Sequence, residues 1–299
     1  MTSSPAAPFG HVLTAMATAF HDDGSLDLDG TARVARHLLE HGHDGLVVSG
    51  TTGESPTTST DEDAEILAAV RAAVGPDVPL VAGVGTNDTR TSLTLARQAR
   101  AHGADGVLLV TPYYSKPAQR GVLDHFRRVV DAAELPVMLY DVPGRTGTTI
   151  SLPTYEAIAA WDAVVAVKDA VGDFARGVRL RELGYAVYSG DDAANLGWLA
   201  HGAVGFVSVV GHAAGPQLRE MAEAYWAGDH DRALQIFTRM LPAIDAMMGV
   251  PNYGATTAKA ALELLGVLPN RYVRSPLAQL DDEELAALRS GLLAAGLLT

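Results

Sequence analysis

The feature that most constrains the fold is a regular alternation of two hydrophobic patterns along the chain. Short apolar runs rich in β-branched residues recur eight times, at residues 12–19, 45–49, 79–84, 106–110, 136–142, 164–168, 185–189 and 205–209. The segments between them carry apolar residues at helical spacing, for example at 61–74, 89–102, 119–132 and 193–201. This pattern predicts eight strand-then-helix units and therefore an α/β protein.

Strands that are separated by helices pair in parallel, and eight such units can close on themselves. We therefore predict a (β/α)8 TIM barrel, with an open doubly wound sheet as the alternative. The runs Gly-Val-Leu-Leu-Val and Ala-Val-Val-Ala-Val are apolar on both faces, as expected of strands covered by helices outside and packed side chains inside. Ser59 and Glu62 have the spacing of a capping box that opens the second helix.

No strand pattern returns after about residue 228. Residues 233–248, 255–265 and 281–295 are instead predicted to form three helices, with Pro251 and Pro269 between them as breaks. We therefore expect a catalytic barrel at residues 1–227 and a C-terminal three-helix appendage at residues 228–299.

Composition narrows the class of ligand. The formal net charge of -13 disfavours nucleic acid and anionic membranes, because binding to phosphate requires a basic surface. The absence of cysteine excludes disulfides, thiolate nucleophiles and cysteine-based zinc sites. Neither a secretory pattern near the N-terminus nor an apolar run long enough to span a bilayer is present. We expect a cytoplasmic protein that binds a small molecule.

Lys168 is the strongest candidate for a reactive group. The chain has three lysines, Lys116, Lys168 and Lys259, and Lys168 ends the sixth predicted strand, where barrel enzymes place catalytic groups. A hydrated lysine at a strand end is the alternative. If the site is dry, desolvation would lower the lysine pKa by about three units and leave roughly a third of the amine neutral at pH 7, as an imine-forming nucleophile requires.

Further candidates follow other predicted strands. Gly-Thr-Thr-Gly-Glu-Ser at 50–55 is either a simple turn or a pocket in which free N–H groups and hydroxyls hold an anion. Tyr140 and the pair Tyr113 and Tyr114 could carry protons in a dry site, although tyrosine is more often core or interface. Arg145 could bind a carboxylate through two parallel hydrogen bonds.

Two other motifs carry little weight. A lone Gly-Val-Gly at 83–85 is a weak dinucleotide signal, so no NAD is expected. The pair His41 and His43 precedes the second strand, at the end of the barrel opposite the expected site, and no carboxylate partner is evident, so no metal is expected there.

Five motifs in the same order and spacing closely resemble those of the dihydrodipicolinate synthases. They are Gly-Thr-Thr-Gly-Glu-Ser at 50–55, Thr-Pro-Tyr-Tyr at 111–114, Tyr-Asp-Val-Pro-Gly-Arg-Thr-Gly at 140–147, Val-Lys-Asp-Ala at 167–170 and Ser-Gly-Asp-Asp at 189–192. The resemblance covers nearly the whole chain. It implies a Schiff-base lyase without a cofactor, which condenses pyruvate with aspartate semialdehyde in lysine and diaminopimelate biosynthesis.

The resemblance also implies residue roles. Lys168 would form the imine, Tyr140 would donate and accept protons, and Thr51 and Tyr114 would complete a proton relay. The substrate contacts would come from Thr52, Arg145, Gly190 and Val207. In relatives the residue matching Tyr114 enters the neighbouring subunit's site, which implies a homotetramer built as a dimer of dimers.

Related functions remain open at this stage. The same superfamily contains N-acetylneuraminate lyases and 2-keto-3-deoxy sugar acid aldolases or dehydratases, which share the lysine and the tyrosine but usually lack an arginine at the place of Arg145. A non-catalytic paralogue that binds a small acid is a further alternative. In lysine-inhibited relatives the regulatory site carries two histidines and a glutamate, whereas the matching positions here hold Thr60, Asp63 and Thr91, with Asn87 and Tyr113 retained. We therefore expect L-lysine to inhibit weakly or not at all.

Overall fold

The computed structural model describes residues 6–251 and 253–298, and its eight parallel strands form a closed barrel in sequential order. The strands are β1 Val12–Ala15, β2 Gly45–Val48, β3 Leu80–Gly83, β4 Gly106–Val110, β5 Val137–Asp141, β6 Val164–Asp169, β7 Ala186–Ser189 and β8 Gly205–Ser208. Because β1 pairs with both β2 and β8, the predicted TIM barrel is confirmed and an open sheet is excluded. Residues 1–5, 252 and 299, which fall within the two predicted ranges 1–227 and 228–299, lie outside the described residues.

Helices follow the strands as α1 Leu28–Glu40, α2 Thr60–Val74, α3 Thr89–Ala101, α4 Gln119–Ala133, α5 Pro143–Thr146, α6 Leu152–Ile158, α7 Phe174–Glu182, α8 Asn195–Ala200 and α9 Gly211–Trp226. The predicted capping box is present, since the backbone N–H of Glu62 donates to Ser59 Oγ (3.2 Å) and the backbone N–H of Ser59 donates to the Glu62 carboxylate (2.8 Å). Among the described helices, none is both long and apolar enough to span a bilayer.

The first strand is shorter than predicted. The apolar run at 12–19 indicates a strand throughout, but β1 ends at Ala15. Beyond that point the backbone N–H groups of Ala17 and Ala19 donate to side chains, those of His212 (3.0 Å) and Thr31 (3.0 Å), instead of to a neighbouring strand. Hydrophobicity is retained there because the segment stays buried, not because it remains in the sheet.

A one-residue irregularity interrupts the pairing of β5 with β6. Val137 lies opposite Val164, but Met138 lies opposite Ala166, so one residue of β6 is unmatched. As a result, Val165 and Ala166 both pack toward the barrel interior although they are adjacent in sequence. Beyond this bulge, Tyr140 lies opposite Lys168 and Asp141 lies opposite Asp169.

A hydrophobic layer packs against each face of the sheet, one inside the barrel and one outside it. Inside the barrel, side chains from successive strands fill the lumen, among them Leu13, Val47, Val81, Met138 and Val207. A second layer lies between the outer faces of the strands and the helices. The interior packing makes the barrel a solid core, so an open cavity can form only at its ends.

The predicted C-terminal helices are present as α10 His230–Met248, α11 Ala255–Leu264 and α12 Asp282–Ala294. Ile236 and Met240 of α10 and Leu288 of α12 share one hydrophobic cluster with Leu218 and Met221 of α9. The C-terminal region is therefore packed against the last helix of the barrel. The segment between α10 and α11 reaches the carboxyl ends of the strands, where it lines a cavity.

Candidate active site

A cavity of about 480 Å³ opens at the carboxyl ends of the barrel strands. Six residues singled out from the sequence line it, namely Thr51, Thr52, Tyr140, Arg145, Lys168 and Gly190. They come from different strand ends and from the loops that follow, so barrel closure brings them together. This volume is typical of a site for a small molecule.

Lys168 lies in this cavity at the end of β6 and is only 4% exposed. Its Nζ lies 4.3 Å from the centroid of the Tyr140 ring, and no hydrogen bond or ion pair joins Nζ to any of the described residues. Burial lowers the Lys168 pKa to about 8, although the nearby Asp192 carboxylate opposes the shift. About one amine in eleven is then neutral at pH 7, compared with roughly one in 3,000 at the ordinary pKa.

A buried carboxylate, that of Asp192, opposes the lowering of the Lys168 pKa, because a nearby negative charge favours the ammonium form of the lysine. The same carboxylate accepts hydrogen bonds from the backbone N–H groups of Val209 (2.8 Å) and Val210 (2.9 Å) and from the Ser208 hydroxyl. Asp192 is therefore held by the end of β8, and it lies in the Ser-Gly-Asp-Asp motif directly after Gly190 and Asp191.

A second buried lysine, Lys259 of α11, provides a contrast. Its pKa is also lowered to about 8 by burial. However, Lys259 Nζ donates to the Glu54 carboxylate and to the backbone carbonyl of Tyr272 (2.8 Å). Those partners occupy the ammonium and Lys259 does not line the cavity, so geometry rather than the pKa distinguishes the two buried lysines.

Tyr140 ends β5 beside Lys168 and is 6% exposed. Burial raises the pKa of its phenol well above the usual value, and the Arg145 guanidinium partly offsets this. Tyr140 is therefore a phenol at neutral pH and can donate a proton in the cavity. A cationic group formed on Lys168 would favour the phenolate and so help Tyr140 to accept a proton in turn.

The 50–55 loop forms a tight turn after β2. The backbone N–H of Glu54 donates to the Thr51 carbonyl (3.1 Å), and that of Ser55 donates to the Gly50 carbonyl (3.2 Å). Thr52 is buried against the Lys168 cavity, whereas Thr51 is exposed and also lines an adjoining cavity of about 220 Å³. Tyr113 and Tyr140 share the lining of that second cavity, and Thr51 and Tyr140 line both cavities.

Tyr114 does not join the site within one chain. Its side chain is 87% exposed, and its φ of 70° is in the left-handed region that bulky residues rarely adopt. An exposed aromatic side chain on strained backbone is typical of a residue that contacts another molecule.

Gly190 and Val207 lie close to Lys168 in different ways. A Cβ at Gly190 would come within 3.0 Å of Lys168 Cγ and Cε, so a side chain at this position would push against the lysine stem. Val207 belongs to β8 and packs in the barrel interior, 1% exposed. Val209, the first residue after β8, lines the cavity, whereas Val207 does not.

Arg145 lies in the short helix α5 and is exposed at the rim of the cavity. Its guanidinium carbon stacks 4.5 Å from the ring centroid of Tyr253, a residue of the C-terminal region. Sequence reasoning missed Tyr253, Met248 and Pro251 as cavity residues. The sequence indicated only a break between two helices at Pro251. A break does not reveal that the segment around it lies against the cavity.

An ionic network that the sequence did not reveal lies beneath Tyr140 and Lys168. Asp141 and Asp169, the residues that directly follow them, are fully buried, and Arg176 of α7 binds both carboxylates. Burial raises the pKa of each carboxyl, and Arg176 opposes this rise. One guanidinium thus ties the end of β5 to the end of β6.

The described residues contain no group of three histidine, cysteine or acidic side chains that could hold a metal ion. Both ring nitrogens of His43 are already engaged, by the Thr14 hydroxyl (2.7 Å) and the Leu38 carbonyl (2.7 Å). His43 therefore has a structural role at the amino ends of the strands.

Comparison with known proteins agrees with this geometry. The Dihydrodipicolinate synthetase family matches residues 8–295. The chain is 52% identical over 296 residues to 4-hydroxy-tetrahydrodipicolinate synthase 2 of Streptomyces coelicolor, covering 99% of this chain and 98% of that protein. Dihydrodipicolinate synthase from Cyanidioschyzon merolae, solved with lysine bound, matches with a TM-score of 0.93 and 37% identity over 97% of this chain and 99% of that one. The chloride-inhibited enzyme of Acinetobacter baumannii, complexed with pyruvate, matches with a TM-score of 0.91 and 32% identity over 97% and 100%.

Proposed function

The chain belongs to the dihydrodipicolinate synthetase family, and on that premise we propose that it condenses pyruvate with L-aspartate 4-semialdehyde to give 4-hydroxy-tetrahydrodipicolinate. The observation that carries this proposal is a buried lysine, free of any carboxylate contact among the described residues, beside a buried tyrosine in a cavity of small-molecule size. The enzyme is a lyase of lysine and diaminopimelate biosynthesis.

The reaction begins with attack by the neutral amine of Lys168 on the ketone carbon of pyruvate. Tyr140 gives a proton to the departing hydroxyl, so that water leaves and a protonated imine forms. The cationic imine withdraws electrons, and a methyl proton is lost to give an enamine. The enamine carbon then attacks the aldehyde of the semialdehyde, whose oxygen takes up a proton. Finally the amino group of the added chain attacks the imine carbon, closes the ring and releases Lys168, with one water lost overall.

The remaining residues would bind the two substrates or relay protons. Thr52 would hold the pyruvate carboxylate with the free N–H groups of the 50–55 loop, while Val207 and the Gly190 carbonyl would bound the pyruvate end of the site. Arg145, at the rim, would bind the carboxylate of the semialdehyde. Thr51 would relay protons between Tyr140 and a Tyr114 supplied by a second subunit.

We further propose that the enzyme is a homotetramer, a dimer of dimers, located in the cytoplasm. The support for assembly is Tyr114, whose side chain is 87% exposed on strained backbone and lines neither cavity of its own chain. Cell fractionation tests the location. No nucleic acid or membrane partner is expected of a chain with a net charge of -13.

The first prediction concerns Lys168. Borohydride reduction with pyruvate is expected to add a lactate-sized mass to the peptide that contains Lys168, and the trapping rate should rise with pH and level off above about 8, because only the neutral amine reacts. Lys168→Ala should lose at least about a thousandfold in kcat, whereas Lys116→Ala, which alters an exposed lysine, should keep it. Labelling at Lys116 or Lys259 would overturn the mechanism.

The second prediction concerns Arg145. Arg145→Ala should still form the pyruvate imine but should lose about 2–5 kcal/mol of transition-state binding, mostly as a raised KM for the semialdehyde. Arg145→Lys should recover little, because a lysine cannot make two parallel hydrogen bonds to a carboxylate. The assay should include N-acetylmannosamine and glyceraldehyde. Efficient use of either in place of the semialdehyde would favour a sugar-acid lyase instead.

The third prediction tests whether Tyr114 acts across subunits. Lys168→Ala and Tyr114→Phe should each impair activity, and subunits of the two variants that are unfolded and refolded together should regain part of it. A mixed dimer would contain one site with both an intact Lys168 and a Tyr114 from the other subunit. Analytical ultracentrifugation should show tetramers for the unmodified protein. A fully active monomer, or no recovery in mixed dimers, would contradict the proposal.

The fourth prediction is weak inhibition by L-lysine. Asp63, the remaining acidic candidate for binding the ligand's ammonium, is turned inward, where it accepts a hydrogen bond from the Thr58 hydroxyl (2.8 Å) and lines a small interior cavity with Leu67 and Leu95. The loss of charge-assisted hydrogen bonds, at about 1.5–3 kcal/mol each, should weaken lysine binding at least tenfold. The measurement is a titration of initial rates with L-lysine at subsaturating pyruvate. Half-inhibition below about 1 mM, which corresponds to about 4.1 kcal/mol of binding free energy, would refute the prediction.

A further inference from the structure

The 50–55 loop that carries Thr51 and Thr52 is bound on its far side by a buried ion pair. Glu54 of the loop and Lys259 of α11 are each 1% exposed, and Lys259 Nζ donates to Glu54 Oε1. The ammonium also donates to the Tyr272 carbonyl (2.8 Å) and lies 4.2 Å from the centroid of the Phe20 ring. The lysine is thus surrounded by fixed partners, and Glu54 is held by a group that cannot move away easily.

The second oxygen of Glu54 is also engaged. Glu54 Oε2 accepts the backbone N–H of Arg274 (2.9 Å), so both carboxylate oxygens are bound by the C-terminal region. Glu54 has a φ of 60°, a left-handed conformation that residues other than glycine rarely adopt. Strained backbone of this kind persists only where the surrounding contacts fix it.

Arg274 holds the chain just beyond the loop. Its guanidinium donates to the carbonyls of Gly24 (2.9 Å) and Thr57 (2.9 Å) and forms two hydrogen bonds with the Glu62 carboxylate (2.6 and 2.9 Å). Glu62 in turn caps α2, the helix that the loop leads into. The loop is therefore fixed through Glu54 within it and through α2 after it.

The opposite side of the loop faces the cavity. Thr52, two residues before Glu54, lines the cavity with Lys168, and a Cβ built at Gly254 would lie 3.9 Å from Thr52 Oγ1. The loop therefore lies between the cavity, which Thr52 lines, and the Glu54–Lys259 ion pair on its other side. We propose that Glu54 and Lys259 are positioning residues, which fix the loop so that Thr52 and its backbone N–H groups meet the pyruvate carboxylate.

This inference rests on the proposed function, because it assigns the loop to pyruvate. The choice of an ion pair over an apolar contact fits a positioning role. Hydrophobic residues of similar volume often stabilise a fold as well as a buried ion pair does, but they do not fix direction. Each carboxylate oxygen of Glu54 accepts a hydrogen bond from a different residue, and those bonds fix the loop in orientation as well as in place.

The test uses the double variant Glu54→Gln with Lys259→Met, which removes both charges and keeps the volumes similar. Pyruvate is the probe, and imine formation at Lys168 in the unmodified protein is measured first. We expect the folded double variant to show at least a tenfold rise in the KM for pyruvate and in the pyruvate concentration that gives half-maximal trapping. The KM for the semialdehyde and kcat at saturating pyruvate should change less than threefold.

The matched control is Asp44→Asn. Asp44 also pairs with an arginine, Arg219, and accepts backbone N–H groups, those of His11 (2.7 Å) and Val12 (3.0 Å), but it lies at the opposite end of the barrel. This change should lower the melting temperature and leave the KM for pyruvate unchanged. If the KM for pyruvate rises in the double variant but not in the control, the rise cannot be explained by lost stability.

A folded double variant whose KM for pyruvate stays within twofold of the unmodified protein would overturn the inference while leaving the proposed function intact. If the unmodified protein forms no imine with pyruvate, both fail. If the double variant does not fold, Glu54→Asp decides, since it keeps the charge but draws the carboxylate back by one methylene. A tenfold rise in the KM for pyruvate would support the positioning role, and an unchanged KM would refute it.

Discussion

Enclosing an ammonium group away from water costs more free energy than almost any other burial a protein makes, and at the end of β6 Lys168 is enclosed without a carboxylate in hydrogen-bond contact among the described residues. The surroundings reduce this cost in limited ways. The face of the Tyr140 ring lies near the ammonium, and Asp192 acts from a distance while its own oxygens are committed to β8. The result is a lysine that gives up its proton near physiological pH, and the cavity is arranged around that property.

The position of the lysine depends on groups that never reach the cavity. Arg176 binds Asp141 and Asp169, the residues that follow Tyr140 and Lys168, so the two strand ends cannot drift apart without breaking a buried ionic contact. Asp169 also accepts through its backbone carbonyl from the N–H of Gly190 (2.8 Å), which joins β6 to the loop after β7. Tyr140 and Lys168 are therefore held in place by contacts that the next residue of β5 and of β6 makes.

The fold was largely predictable from the sequence, because strand and helix periods are local properties. All eight strands and the three C-terminal helices lie where the patterns place them, and the Ser59 capping box is present. The place of Lys168 in the cavity could be predicted because lysines are scarce and this one lies at the end of a strand. Tyr253, Arg176 and the Glu54–Lys259 pair could not, since each acts through a contact between segments far apart in sequence. The extent of β1 was overestimated for a related reason, because burial and strand pairing give the same hydrophobic signal.

The bulge between β5 and β6 determines which way Lys168 faces. Side chains alternate along a strand, and Val164 packs on the outer, helix side. Counting from Val164 with strict alternation, Lys168 would also face outward and Asp169 inward. Because Val165 and Ala166 both face the interior, the phase of the strand is reset, and Lys168 enters the lumen while Asp169 turns outward to Arg176. A single unpaired residue, four positions before the end of a six-residue strand, thus places the Lys168 amine in the lumen of the barrel and not among the surrounding helices.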